Sequence, residues 1–404
     1  MANSLLTINM ITREAVRLWK NSNAFLSNVD TQYDDEFAVT GAKIGDTLRI
    51  RLPNDYTVRT GKAASVQDTT EQSTTLTLAT QKGVDMTFSS SERTLQLDDF
   101  SERVLAPAIN NLAGAVALDL MTGVEGGVCN LAQNLDAGGI IISPVADTYL
   151  DAGAILDENS AYTMDRKVFN DPRTQARVVS SLAGLFNPQA KISEQYMSGQ
   201  MRGQALGFDW FSDQTILKHT PGSFTAGTVS GANQTGTNIV TNALTGTLEA
   251  GDIITFDLVF AVNRITKQST GSLRQFVVTA DVANGGLAIP VYPALIPAVG
   301  GVDVQYQTVT VSPANGAAID LLTPPNTTYR KNIAYAPEAV TMVFADMELP
   351  RGVHEAARES FDGVSMRMIT DYAVQTDEWI TRLDILYGWL WVRPEWAVIV
   401  ADRL

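Results

Sequence analysis

The chain has 404 residues, of which 45% are hydrophobic, with 44 acidic against 29 basic side chains and a net charge of −15. That length predicts roughly two or three domains with ample core, and that charge excludes a broad basic face for gripping nucleic acid. The single cysteine, Cys129, excludes an intrachain disulfide and a cysteine-built metal cluster.

The N-terminal MANSLLTINMITREAV lacks the basic-then-apolar form of a signal peptide. No run approaches the ~18–20 uninterrupted apolar residues of a membrane span, so the chain reads as a soluble protein. Residues 6–21 repeat with helical period, which places Ile8, Ile11, Ala15 and Leu18 on one face beside Trp19, with Thr12 as a possible cap. Arg13, Glu14, Arg17 and Lys20 then face outward. Such a helix needs a docking surface, in its own chain or in a neighbouring one. The acidic run Asp34, Asp35, Glu36 reads as a solvated surface.

From residue 43 to 97 the period drops to two. Leu48, Ile50 and Leu52, then Leu76 and Leu78, then Val84, Met86 and Phe88 alternate with polar residues. We read this as a long two-stranded ribbon with Arg59, Gly61 and Lys62 near its tip. An isolated ribbon is marginal in water, so it joins a sheet or lies on a partner.

Residues 98–126 carry Phe100, Val104, Ala108, Leu112, Val116 and Leu120 at every fourth position, a helical stripe opened by Asp98 and Asp99. Pro107 predicts either a kink or a main helix starting there. Gly123, Gly126 and Gly127 close the helix. A helix with Leu150, Ala154 and Ile155 inward, a short RKVF strand, and a helix capped by Asp171 with Pro172 at its first position follow. In the last of these, Val178, Val179, Leu182 and Leu185 form the apolar face.

Near His219 the composition turns poor in charge and rich in Thr, Gly, Val and Ala. The runs FTAGTV, DIITFDLV, RQFVVTA, LAIPVY and VQYQTVTV, separated by turn signals, predict a separate small β-barrel or sandwich over 220–328, left through Pro324 and Pro325. Strand-like stretches around AVTMVFADMEL, VSMRMITDYAV, WITRLDILYGWLWV and EWAVIVADRL end the chain. The small domain therefore interrupts a larger one.

Catalytic patterns are missing from this order. His219 and His354 are the only histidines, and neither accompanies a nucleophile elbow. No phosphate-binding glycine motif occurs. Cys129 reads as a small packed residue, and Trp389, Trp391 and Trp396 as core or subunit contacts. No enzyme, cofactor or metal site is predicted.

Taken together, RVLAPAINNLAGAVALDLM (103–121), AGAILDENSAYTMDRKVFNDP (152–172), GFDWFSDQTILKHT (207–220), LEAGDIITFDLVFAVNRITKQSTGSLRQFVVTADV (248–282) and RLDILYGWLWVRPEWAVIV (382–400) give the chain a specific likeness. It resembles the major capsid proteins of tailed bacteriophages, which share the HK-ninety-seven fold, and among them the P-twenty-two-type coat proteins. The resemblance implies an α+β capsid fold. Its parts would be an N-terminal arm (1–35), an extended loop (36–97), a spine helix (98–126), an axial domain (127–218 and 329–404, the latter with closing strands) and an inserted β-barrel (219–328). It further implies self-assembly into hexamers and pentamers of an icosahedral shell in the virion, around packaged double-stranded DNA. Scaffolding and portal partners and assembly in the host cytoplasm are implied as well. Glu14, Arg17, Lys20, Arg59 and Lys62 become candidate assembly contacts, and Val104, Ala108, Leu112, Val116 and Leu120 the spine core. Covalent cross-linking through Lys62 or Lys82 has no recognisable motif. A carbohydrate-binding β-protein is the alternative, motivated by the Thr/Gly-rich barrel and aromatics, and assembly behaviour separates the two.

Overall fold

The computed structural model describes residues 8–31, 47–56, 58, 61–62, 72–89, 104–181, 201, 204–298, 304–361 and 363–404. Arg59, the acidic run at 34–36, Asp98, Asp99, Phe100, Leu182 and Leu185 lie outside them. The chain forms two compact units. The first holds Met1–Leu52, Ser73–Leu120 and Val340–Val392; the second holds Pro53–Gln72, Met121–Ala339 and Arg393–Leu404. The architecture is mixed α and β, with many strands and few helices.

The first unit is built on an antiparallel sheet in the order Val340–Ala345, Glu378–Trp391, Val364–Ala373, Glu355–Phe361. Leu383, Ile385 and Tyr387 alternate along the central strand and are fully buried, as its period-two pattern requires. Helix α1 (Ile8–Ser22) packs on the strands Glu355–Phe361 and Val364–Ala373. Its buried face is Thr12, Ala15, Val16 and Trp19, while Ile11 and Leu18 are half-buried. The predicted stripe is therefore rotated by about one residue. Trp19 decides the rotation: its indole meets Phe344 edge-on at 6.1 Å, and burying so large a ring outweighs Leu18. Thr12 is no cap; its hydroxyl is buried and donates to Met368 Sδ at 3.8 Å.

The predicted ribbon comprises strands Thr47–Arg51 and Ser73–Thr77, paired antiparallel with Leu48 opposite Leu76. Ile50, Leu76 and Leu78 bury themselves against Val343 and Ala345, which answers the instability of a free ribbon. Gly388 permits the close approach, because a Cβ there would stand 2.4 Å from Thr77 O. The third alternating run departs from expectation. Thr80–Ser89 leaves the ribbon and pairs antiparallel with Glu378–Trp391, from Thr80 opposite Tyr387 to Ser89 opposite Glu378.

Helix α2 (Ala106–Gly127) contributes its residues through Leu120 to the first unit and the rest to the second. Pro107 lies in the first turn, where its missing N–H removes no helical hydrogen bond, so no kink is needed. Leu105, Ile109, Leu112, Ala113, Val116, Ala117 and Leu120 are buried, whereas Asn110 and Asn111 are exposed. Two side chains of Glu378–Trp391 reach the helix: Trp391 Nε1 donates to Leu120 O at 3.1 Å and the Tyr387 hydroxyl to Asp119 at 2.5 Å.

In the second unit a seven-stranded mixed sheet runs Asn130–Ala132, Ala397–Arg403, Tyr329–Tyr335, Lys167–Asn170, Phe208–Ser212, Gln204–Ala205, with Lys218–His219 also pairing to Tyr329–Tyr335. The pairs of Ala397–Arg403 with Asn130–Ala132 and of Lys167–Asn170 with Phe208–Ser212 are parallel. Helix α3 (Ala146–Glu158) buries Thr148, Tyr149, Ala152 and Leu156. Leu150 is 52% exposed and Ala154 is exposed, so this stripe too is displaced from the one predicted. Tyr149 sets it: its ring packs on Trp210 and its hydroxyl donates to Asn170 Oδ1. Helix α4 (Pro172–Ser181) starts as predicted, with Asp171 Oδ1 accepting from the Arg173 N–H at 2.9 Å.

A five-stranded antiparallel sheet (Gly236–Val240, Ala288–Leu295, Ser269–Val278, Ile253–Val262, Ile319–Leu321) occupies the charge-poor region. Phe224, Val229, Ile239, Leu248, Phe256, Phe276 and Val291 belong to its core, which among the described residues draws only on those between 224 and 321. Two predicted runs are not strands. FTAGTV makes only isolated bridges, and VQYQTVTV holds a short 3-10 turn and one bridge.

Candidate functional site

The predicted contact residues occupy separate places. Glu14 and Arg17 pair with each other across one turn of α1, Nε to Oε2 at 2.8 Å, and this hydrogen bond lowers the Glu14 carboxyl below its usual range. Arg13, exposed on the same helix, reaches Glu359 at 3.7 Å. The backbone of Lys20 continues the helix, and Lys62 is exposed beside Gly61. Among the spine residues Ala108, Leu112, Val116 and Leu120 are buried and Val104 is half-buried. Lys82, expected in the ribbon, instead pairs with Asp119 of α2 at 2.7 Å and donates to Ala115 O.

His219 is 4% exposed and lies in the second unit between Asp252, which is 0% exposed, and Glu125, whose side chain is 39% exposed. Its Nδ1 is 3.1 Å from Glu125 Oε1, in the last turn of α2, and its Nε2 is 2.8 Å from Asp252 Oδ1. The second Asp252 oxygen accepts backbone N–H groups of Gly222 and Glu249 at 3.1 and 2.9 Å. Lys331, 1% exposed, donates to Gly251 O at 3.0 Å. Burial pulls its ammonium down to about 8, against the pull of Glu125 and Asp252. The Tyr329 ring meets the imidazole edge-on at 5.7 Å. Gly251 is required here: its φ is +95°, and a Cβ would stand 2.7 Å from both Glu125 O and Lys331 Nζ.

This cluster has two carboxylates on one imidazole, without a hydroxyl or thiol hydrogen-bonded to the ring among the described residues. A hydrolytic triad needs a nucleophile on one ring nitrogen, so the chemistry available is charge pairing. His354 packs edge-on against Trp379 at 4.7 Å. Cys129 is buried, and burial raises its thiol to about 11, which keeps it neutral and unreactive. Trp391 and Trp396 are buried, each within its own unit, and Trp396 meets Tyr162 edge-on at 5.0 Å while the Arg393 guanidinium lies over its ring at 4.2 Å. A small cleft of about 40 Å³ is lined by Glu158, Asn159, Thr270, Ser272 and Arg274, where burial raises the Glu158 carboxyl against the pull of Arg274. Among the described residues no group of three or more His, Cys, Asp or Glu is arranged to hold a metal ion, and no helix is long and apolar enough to cross a membrane.

Similarity to known proteins separates a structural role from a catalytic one. The family model described as P22 coat protein - gene protein 5 matches residues 40–400. Among solved structures, one from Mycobacterium phage Che8 aligns over 94% of this chain and 90% of its own, at 12% identity and TM-score 0.46. The capsid of cyanophage P-SCSP1u aligns over 94% and 88%, at 9% identity and TM-score 0.44. The CUS-3 coat protein I-domain aligns over 24% of this chain and 96% of its own, at 25% identity and TM-score 0.20. Comparison with curated protein sequences finds no match. At these scores the family match carries the assignment, since it extends over nearly the whole chain. The chain belongs to the P22 coat protein family, and it is a phage major capsid protein, a structural component of the virion that assembles with copies of itself into a shell.

Proposed function

We propose that the chain adopts the HK-ninety-seven capsid plan and closes into an icosahedral head of hexamers and pentamers around packaged double-stranded DNA. The family match over residues 40–400 is the observation that supports this reading. In that plan residues 1–35 are the N-terminal arm, 36–97 the extended loop, 98–126 the spine, 127–218 and 329–404 the axial domain with the closing strands, and 219–328 an inserted β-barrel. The self-contained apolar core between residues 224 and 321 is consistent with an insertion. Glu14, Arg17, Lys20, Arg59 and Lys62 serve as contacts to neighbouring subunits. A scaffolding protein and a portal join the assembly in the host cytoplasm. With a net charge of −15, the wall confines DNA without binding it tightly.

Negative-stain microscopy and sedimentation of the purified full chain test this directly. The expected result is large closed particles of uniform diameter, formed by the chain alone or with a scaffolding partner. A stable small oligomer under every assembly condition overturns it.

A further inference from the structure

We propose that His219 is a proton-dependent clamp tying the last turn of helix α2 to the root of the five-stranded sheet, closed when both ring nitrogens carry protons. This inference stands on the geometry of the second unit and does not depend on the shell reading.

Three chain segments far apart in sequence meet at the ring. Glu125 comes from α2, Asp252 immediately precedes strand Ile253–Val262, and His219 precedes the charge-poor region. Ring nitrogens at 3.1 and 2.8 Å from two carboxylates both face acceptors. A neutral imidazole has one N–H to give, so only the doubly protonated ring donates to both. Asp252 is 0% exposed and cannot turn to water, whereas the Glu125 side chain is 39% exposed. The charged groups around the ring are Glu125 from α2, Asp252 from the turn before the sheet, and Lys331 from strand Tyr329–Tyr335, which also presents the neutral Tyr329 ring. With a ring proton on each nitrogen, two negative and two positive charges balance. Without the second proton, a lone pair faces a carboxylate oxygen and one negative charge is left over. Glu125 also lies at the negative end of the helix dipole, where a cation beside it is favoured.

The test uses the full chain with ¹⁵N-labelled histidine. Only two histidines are present, so His354→Gln leaves the His219 signals alone. At about pH 6 the long-range ¹⁵N–¹H pattern should be that of a ring protonated on both nitrogens. Glu125→Gln, which removes one of the two carboxylates facing the ring, should move that pattern towards a single-proton tautomer at the same pH. On raising the pH to about 9 the urea midpoint of the wild type should fall relative to His219→Gln, which has no ring to titrate. A single-proton tautomer at about pH 6, a ring pattern unmoved by Glu125→Gln, or parallel wild-type and His219→Gln profiles each overturn the clamp.

Discussion

Leu112 is 3% exposed in the middle of α2, while Asn110 and Asn111 face solvent two positions and one position before it. Leu112→Ala should cost about 2–5 kcal/mol through lost transfer energy and a cavity. Asn110→Ala should stay within about 0.5 kcal/mol. Urea unfolding of unassembled subunits checks both, and equal losses would misplace the helix face. Lys331 gives a pH dependence with a definite sign. Burial pulls its ammonium down to about 8 in the folded chain, below the ordinary lysine value of 10.5. Between these values the unfolded chain binds the extra proton, so stability should rise with pH. Below about 8 both states are protonated and the burial penalty is constant. The stability difference between wild type and Lys331→Met, measured by urea unfolding, should therefore move in the wild type's favour from about pH 8 to about pH 10.5. A flat difference would mean that Lys331 titrates alike in both states.

Among the elements, α1 finds a docking surface in its own chain, one of the two alternatives its sequence left open. An arm that only reached for neighbours would leave its apolar face open, yet Ala15, Val16 and Trp19 are buried against strands of the same unit. Trp19→Ala should destabilise the unassembled subunit by about 3–5 kcal/mol, read by thermal and urea unfolding. An unchanged subunit with defective assembly would return the helix to an inter-subunit role. The outward side carries Glu14 and Arg17 already paired, an exposed i,i+3 pair that adds little stability by itself.

For the whole molecule, the question is how independent the five-stranded module is. Among the described residues its core draws on none outside 224–321, which favours autonomous folding. Specific bonds anchor it within the second unit: Gln275 exchanges hydrogen bonds with the Leu131 backbone at 2.6 and 3.1 Å, and the Tyr292 hydroxyl donates to Glu395 at 2.9 Å. Residues 220–328 expressed alone should give a dispersed amide NMR spectrum, with the largest differences from the full chain at Asp252, Gln275 and Tyr292. A collapsed spectrum would make the module dependent on those anchors.

Local periodicity and punctuation were legible from the residues: the helical spacing of 104–120, the alternation at 47–51 and 73–89, Asp171 and Pro172 opening α4, and the change of composition at 220. These follow from short-range sterics and from the side-chain period of each backbone form. The family likeness was legible too, because it rests on the order of such segments. Tertiary packing decided the rest. A helix with two overlapping apolar stripes turns to bury its largest ring, so Trp19 and Tyr149 set the faces of α1 and α3 against the simpler spacing. A strand edge offers the same N–H and C=O groups to any partner, so nothing local told Thr80–Ser89 to leave the ribbon for Glu378–Trp391. His219 lies 94 residues from Glu125 and 33 from Asp252 in the chain. Ionic groups that distant acquire a common site only when the fold brings their segments together.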